Sequence, residues 1–253
     1  VTNPVSGLGL VLVHGGHHDA GCWEPTVAEL SRRVPGVPVL AVDLPGRGRS
    51  PGDLMAYSVE ACVDAVVAQV AAAGLDTVVL VGHSAAGMVV PAVAERLGAD
   101  RVRGMVFVAA SIPPEGGTLL DTLQWPWRPV AARAARRTSP IPPPPRAFAG
   151  AVFCNGMTRE QRRFALDRLC AETPLLSVLP VSRTGMPTGI RRSWVLTLRD
   201  RSLRPAQQRA SIERLGGVEE VIEVDACHDV MISDPARLAE ILHVEADRAA
   251  VPG

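Results

Sequence analysis

The stretch Val78-Val79-Leu80-Val81 runs without a break into Gly82-His83-Ser84-Ala85-Ala86-Gly87. A short, continuous run of Val and Leu suits a strand buried on both faces, as in a parallel sheet. Small and branched residues after Ser84 then read as a helix that stops near Gly98. A strand that passes at once into a helix must close its backbone tightly at Ser84, and only small flanking residues allow that. Ala86 stands where a second glycine is usual, a mild departure because alanine is still small. The Ser84 hydroxyl is expected to project at the helix N-terminus, where the macrodipole and the N–H of Ala85 favour negative charge. A glycine-rich phosphate loop is the competing interpretation, but neither common phosphate-loop spacing is present.

The rest of the chain repeats this alternation. Apolar runs at Leu10–Val13, Val37–Val42, Thr77–Val81, Val102–Ala109, Trp194–Leu198 and Glu219–Val224 are each bounded by Gly, Pro or Asp. Between them lie helical patterns. Ser58 caps a segment in which Val59, Cys62, Val63, Val66, Val67 and Val70 repeat at helical spacing before Gly74, and Asp234-Pro235 opens the last helix. The fold class expected is α/β: a doubly wound, mostly parallel sheet of about six strands. From Ile112 to Gly189 the rhythm breaks into Trp125-Pro126-Trp127, an Arg-rich run, Pro142–Pro145 and a helical piece at Arg159–Cys170. This stretch is expected to be a helical insertion, 112–190, that caps the carboxyl edge of the sheet before its last two strands. Core segments 1–111 and 191–253 flank it. A disordered linker would fit the proline run but not Arg159–Cys170.

Hydrophobic residues make up 47% of the 253, enough to build a core. The formal net charge of +0 gives no electrostatic argument for nucleic acid or an anionic membrane as partner. The chain has no lysine, so neither a Schiff base nor a lysine general base is available. Five cysteines (Cys22, Cys62, Cys154, Cys170, Cys227) form no CxxC pair and suit reduced thiols. Val1-Thr2-Asn3-Pro4 shows no signal-like leader, and no apolar run is long enough to span a bilayer, so a cytoplasmic location is expected.

A serine needs a base, and the base needs an acid to orient it. Where a serine sits on such an elbow the chain order is Ser, Asp or Glu, then His. The run Trp194–Leu198 ends in Arg199-Asp200, and Val221–Val224 is followed by Asp225-Ala226-Cys227-His228. Asp200 and His228 thus fall at carboxyl ends of strands, the edge where Ser84 lies and where open α/β sheets keep their sites. His228 is the only histidine between His83 and His243. Asp225 and Asp229 rival Asp200 as the acid, but they lie too near His228 along the chain to support its ring in the usual way. The first strand runs into His14-Gly15-Gly16-His17-His18, and the Gly16 N–H is the candidate second oxyanion donor beside that of Ala85. Adjacent histidines also raise a metal site, but no Asp/Cys/His cluster elsewhere matches them, and no cofactor is expected.

These motifs resemble the α/β-hydrolase superfamily, and more narrowly the compact group of plant methyl esterases and hydroxynitrile lyases. The resemblance rests on His14-Gly15-Gly16 with His18 and Trp23, Asp43-Leu44-Pro45-Gly46-Arg47-Gly48-Arg49-Ser50, the Ser84 elbow, Asp200 with Pro205, and His228. It spans nearly the whole chain apart from the insertion. It implies a serine hydrolase that cleaves a carboxylic ester or lactone, a small molecule, through an acyl-enzyme. Asp43–Ser50 resembles a loop that shapes the fold near the site without doing chemistry. The lyases of the group carry Thr where this chain has Gly15 and Lys after the histidine where it has Asp229, so cyanohydrin cleavage is disfavoured. Two alternatives stay open: a tailoring enzyme using the same residues for elimination, cyclisation or acyl transfer, and a receptor-like protein with negligible turnover. His83 and the aromatic residues Trp125, Trp127, Phe148 and Phe153 are candidate substrate contacts. The oligomeric state is open, a homodimer included.

Overall fold

The computed structural model describes residues 7–251, apart from 124 and 126 and the side chain of Trp127. The expectation about the first residues therefore lies outside the described residues. Six strands, β1 (Leu8–Val13), β2 (Val39–Val42), β3 (Thr77–His83), β4 (Val102–Val108), β5 (Arg192–Thr197) and β6 (Glu220–Val224), form one sheet in the order β2-β1-β3-β4-β5-β6. Every pairing is parallel, so the sheet expected as mostly parallel is wholly so.

Both faces of the sheet are covered, which is why its central strands read as unbroken apolar runs. On one face Val11, Leu80, Phe107 and Trp194 pack with α2 (Val59–Ala72) and α3 (Val90–Leu97). The rings of Phe107 and Trp194 stack there at 5.6 Å. On the other face Leu10, Leu12, Val81 and Val106 meet α1 (Glu24–Arg33) and the last helix, which begins at Pro235. Local chemistry sets the helix ends. Ser58 accepts from the Ala61 N–H to start α2, as its position suggested.

The chain order reverses between β1 and β3, because β2 lies on one side of this pair and β4 on the other. Open parallel sheets bind ligands in the crevice that such a reversal leaves at the carboxyl ends of the strands. The loop after β1 and the turn after β3 both open into that crevice.

Between β4 and β5 the chain makes the helical insertion. It contains α4 (Trp127–Ala134), α5 (Arg146–Val152) and α6 (Arg159–Asp167), with short 3-10 turns on either side. Thr158 and Gln161 form a reciprocal cap at the start of α6. Gln161 Nε2 also donates to the Ile232 and Ser233 carbonyls, fastening α6 to the core. After β5 come α7 (Pro205–Arg214), β6, a single turn α8 (Val230–Ser233) and α9 (Pro235–Ala250). None of the described helices is long and apolar enough to cross a membrane.

Candidate active site

Ser84 follows β3 at φ 53°, a left-handed conformation that non-glycine residues seldom adopt. The turn is held by close packing. A Cβ on Gly82 would lie 2.7 Å from Val90 Cγ2, and one on Gly87 would lie 2.6 Å from the Ser111 carbonyl oxygen. Ser111 N–H in turn donates to the Ser84 carbonyl at 2.9 Å. The helix expected after Ser84 starts as a 3-10 turn, Ser84–Met88, before α3 begins.

His228 arrives from the loop after β6, with Nε2 3.0 Å from Ser84 Oγ and Nδ1 2.7 Å from Asp200 Oδ2. Asp200, at the end of β5, is fixed from several directions. Its Oδ1 accepts the N–H groups of Ser202 and Leu203, and its Oδ2 accepts the Thr197 hydroxyl. Gln208 on α7 reaches the same Oδ2 at 3.4 Å. Burial pulls the His228 pKa down, but the charge and hydrogen bond of Asp200, aided by the charge of Asp229, outweigh it and leave the pKa raised. The rival Asp225 is exposed and pairs with Arg199 instead.

Asp229 is fully buried. Its Oδ2 faces His18 Nε2 at 3.3 Å, while His18 Nδ1 donates to the Gly16 carbonyl at 2.7 Å. Both His18 nitrogens therefore face acceptors, which favours the imidazolium. The Asp229 charge and hydrogen bond raise the His18 pKa against the cost of burial, and Asp229 is correspondingly lowered. Asp229 Oδ1 has no hydrogen-bond partner.

His83 corrects the expectation that it meets substrate. It is fully buried behind His228, with ring centroids 4.7 Å apart, and its Nε2 donates to the His228 carbonyl at 3.1 Å. Its Nδ1 lies where a Cβ on Gly15 would come within 3.1 Å, and that Cβ would also meet Ser84 Cβ at 2.8 Å. A threonine at this position would collide with both residues. Trp125, a candidate substrate contact, is 85% exposed and faces solvent. The Trp127 side chain lies outside the described residues. Phe148 is 38% exposed, whereas the Phe153 ring sits 5.7 Å from that of His228.

The loop after β1 brings Gly16 to the crevice. The peptide linking Gly16 to His17 is clamped on both sides: its carbonyl accepts from His18, and its N–H donates to Glu172 Oε2 at 2.9 Å. Gly16 and Ala85 line one small cavity, of about 10 Å³, with Arg47, Tyr57, Glu172 and Leu176. Sequence reasoning missed the wall of this cavity. Arg47 Nη2 and Glu172 Oε1 form a buried ion pair there, between the loop after β2 and the insertion, and the Arg47 guanidinium lies 5.2 Å from the Tyr57 ring centre. Nothing in the sequence pairs residues so far apart, although the Arg within Asp43–Ser50 was visible. Asp43 itself ties two loops together by accepting the N–H groups of Ala20 and Arg49.

His14, His17 and His18 each donate a ring N–H to a backbone carbonyl, which accounts for their orientation without an ion. Among the described residues His83, His228 and Asp229 bring potential ligand atoms within 4.8 Å of one another. Both His228 nitrogens are already engaged by Ser84 and Asp200, so an ion there would have to break that chain of contacts.

Residues 10–241 match the alpha/beta hydrolase family. The chain belongs to that family. Within it, this hydrolase is 29% identical over 259 residues to a probable esterase, PIR7A, of Oryza sativa, covering 93% of the chain and 95% of the rice protein. It is 37% identical over 115 residues to a carbendazim-hydrolysing esterase of Nocardioides, a match that covers 45% of the chain and 46% of that protein. An extracellular alpha/beta-hydrolase from a Paenibacillus species shares the fold, with a TM-score of 0.83 at 22% identity over 94% of this chain and 98% of the other.

Proposed function

We propose that this hydrolase cleaves carboxylic esters, lactones included, with Ser84 as nucleophile, His228 as general base and acid, and Asp200 as the group that orients the imidazole. The observation that carries the proposal is the unbroken chain of contacts from Ser84 Oγ through His228 to Asp200 at the sheet's switch point. The esterase names of the rice and Nocardioides relatives agree with it.

In the first step Ser84 Oγ bonds to the ester carbonyl carbon as its proton passes to His228 Nε2. The Gly16 and Ala85 N–H groups are the donors proposed for the oxyanion that develops, and the contacts of His18 and Glu172 with the next peptide, Gly16–His17, support the loop that carries Gly16. Collapse breaks the carbon–oxygen bond, and the alcohol leaves with the proton from His228. Water, deprotonated by His228, then attacks the acyl-enzyme and releases the acid, returning Ser84 to its hydroxyl form. Phe153 beside His228 supplies one apolar wall, and the insertion acts as the cap over the crevice.

Labelling by a fluorophosphonate probe, together with turnover of short p-nitrophenyl esters, tests this. Both are expected in the native protein and both are expected to vanish in Ser84→Ala. Labelling without ester turnover would favour the tailoring or receptor alternatives, and absence of labelling would remove Ser84 as an activated nucleophile.

A further inference from the structure

Between Asp121 and Glu160 the chain carries Arg128, Arg133, Arg136, Arg137, Arg146 and Arg159 and no carboxylate. The zero net charge conceals this local excess. Arg133, near the end of α4, and Arg136 and Arg137 just beyond it, line a groove of about 880 Å³ with Val130, Ile141 and Pro142–Pro145. Arg128, Arg146 and Arg168 have carboxylate partners in Asp121, Asp167 and Glu24. Among the described residues no carboxylate lies within ion-pair distance of Arg133, Arg136 or Arg137. Three arginines lining one groove leave a positive charge there that a counter-charge would offset. The proline wall offers no N–H donors, so recognition of a polar group here falls to the arginines.

The groove also lies next to the chemistry. His17, the residue after Gly16, forms part of its lining. Ile141, another lining residue, bridges to Glu172, and Glu172 accepts the His17 N–H. A molecule seated in the groove therefore borders the loop that presents Gly16.

We propose that this groove binds a phosphate-bearing part of the leaving group, so that the preferred substrates are esters or thioesters of phosphorylated alcohols or thiols. This rests on the hydrolase function proposed above and names its substrate class. Guanidinium forks match phosphate oxygens, and three of them suit a multiply charged group. The groove's size is that of a site for a whole small molecule, larger than a lone anion needs. The phosphate itself does not react. Ser84 Oγ bonds to the acyl carbon, the carbon–oxygen or carbon–sulfur bond breaks, and the leaving group departs with the proton from His228.

A matched pair of thioesters tests this: butyryl-coenzyme A, and butyryl-N-acetylcysteamine, which lacks the phosphates. At low ionic strength kcat/KM is expected to favour the phosphorylated member by at least about tenfold, through KM. The preference is expected to shrink as salt rises and the Debye length falls from about 30 Å to about 8 Å. Combining Arg133→Gln, Arg136→Gln and Arg137→Gln is expected to bring the ratio of the two toward one, with folding checked by thermal melting. A ratio near one in the native protein, or an equal fall for both substrates in the variant, would overturn the proposal. Calorimetric binding of free coenzyme A requires no turnover and separates the two claims. If coenzyme A binds and the triple variant loses it while no ester or thioester is cleaved, the groove stands and the hydrolase function fails. If coenzyme A does not bind, the groove assignment fails whatever the neutral esters do.

Discussion

Two carboxylates bracket His228, and they act on it differently. Asp200 holds the ring through Nδ1, so Asp200→Asn is expected to lower kcat by up to about ten thousandfold as tautomer control is lost. Near-native turnover of p-nitrophenyl esters by that variant would hand the role to another acid. Asp229 lies behind the ring, bound to His18, and adds its charge to the forces that raise the His228 pKa. In the proposed mechanism His228 must be neutral to accept the Ser84 proton, so a raised pKa would move the acid limb of kcat/KM to higher pH. Asp229→Asn removes that charge, and the limb is expected to move to lower pH. A pH profile between about 5 and 9 checks this, and an unmoved limb would show that Asp229 serves packing alone. Ser84, Asp200 and His228 were legible in the sequence because each ends or follows an apolar strand. The position of His83 was not, since the sequence does not show which way a residue beside the elbow turns its ring.

At the scale of elements, the buried pair of Arg47 and Glu172 joins the insertion to the core. Glu172 also accepts the His17 and Thr173 N–H groups, so its loss would strip several donors at once. Breaking one side of a buried pair strands the other charge, so Glu172→Gln is expected to cost about 3–5 kcal/mol, read as a lower urea midpoint. Replacing both partners by apolar residues of similar volume is expected to cost less. A similar midpoint for the single and double variants would contradict this account. The strands and the capped helices were visible beforehand because period, cap and turn chemistry are local. The insertion was visible only as a broken rhythm, because its attachment rests on contacts such as Gln161 to Ile232 and Arg47 to Glu172, between residues distant in sequence.

Across the whole molecule the histidines set opposing pH dependences. Burial lowers His14 from 6.5 to about 3 and takes His83 well below 6.5, so both are neutral in the folded chain near neutral pH. Below about pH 6.5 the unfolded chain gains protons at these sites that the folded chain does not, and stability falls. His18 and His228 have raised values; the stability they add is complete below their unfolded values and is lost as pH rises through the folded ones. Asp229, lowered by His18 against the cost of burial, supports the fold above its unfolded value and ceases to as pH falls through its folded one. The histidine contributions therefore peak near about pH 6.5, while turnover through His228 as proposed is expected to rise on the alkaline side of that peak. Urea midpoints measured from about pH 5 to 8 are expected to show the maximum; a flat curve would contradict it.

The insertion also sets a schedule for assembly. β4 and β5 are hydrogen-bonded neighbours, yet the entire insertion separates them along the chain. The ribosome adds about 5–20 residues per second, so the elbow emerges well before Asp200, His228 and α9. A nascent chain carries Ser84 before His228 has emerged, and α9 must still dock on α1. Reactivity of Ser84 toward an activity probe is expected to switch on only when the C-terminal strands join the sheet. The moment at which a newly made chain first takes up the label would then time the completion of folding.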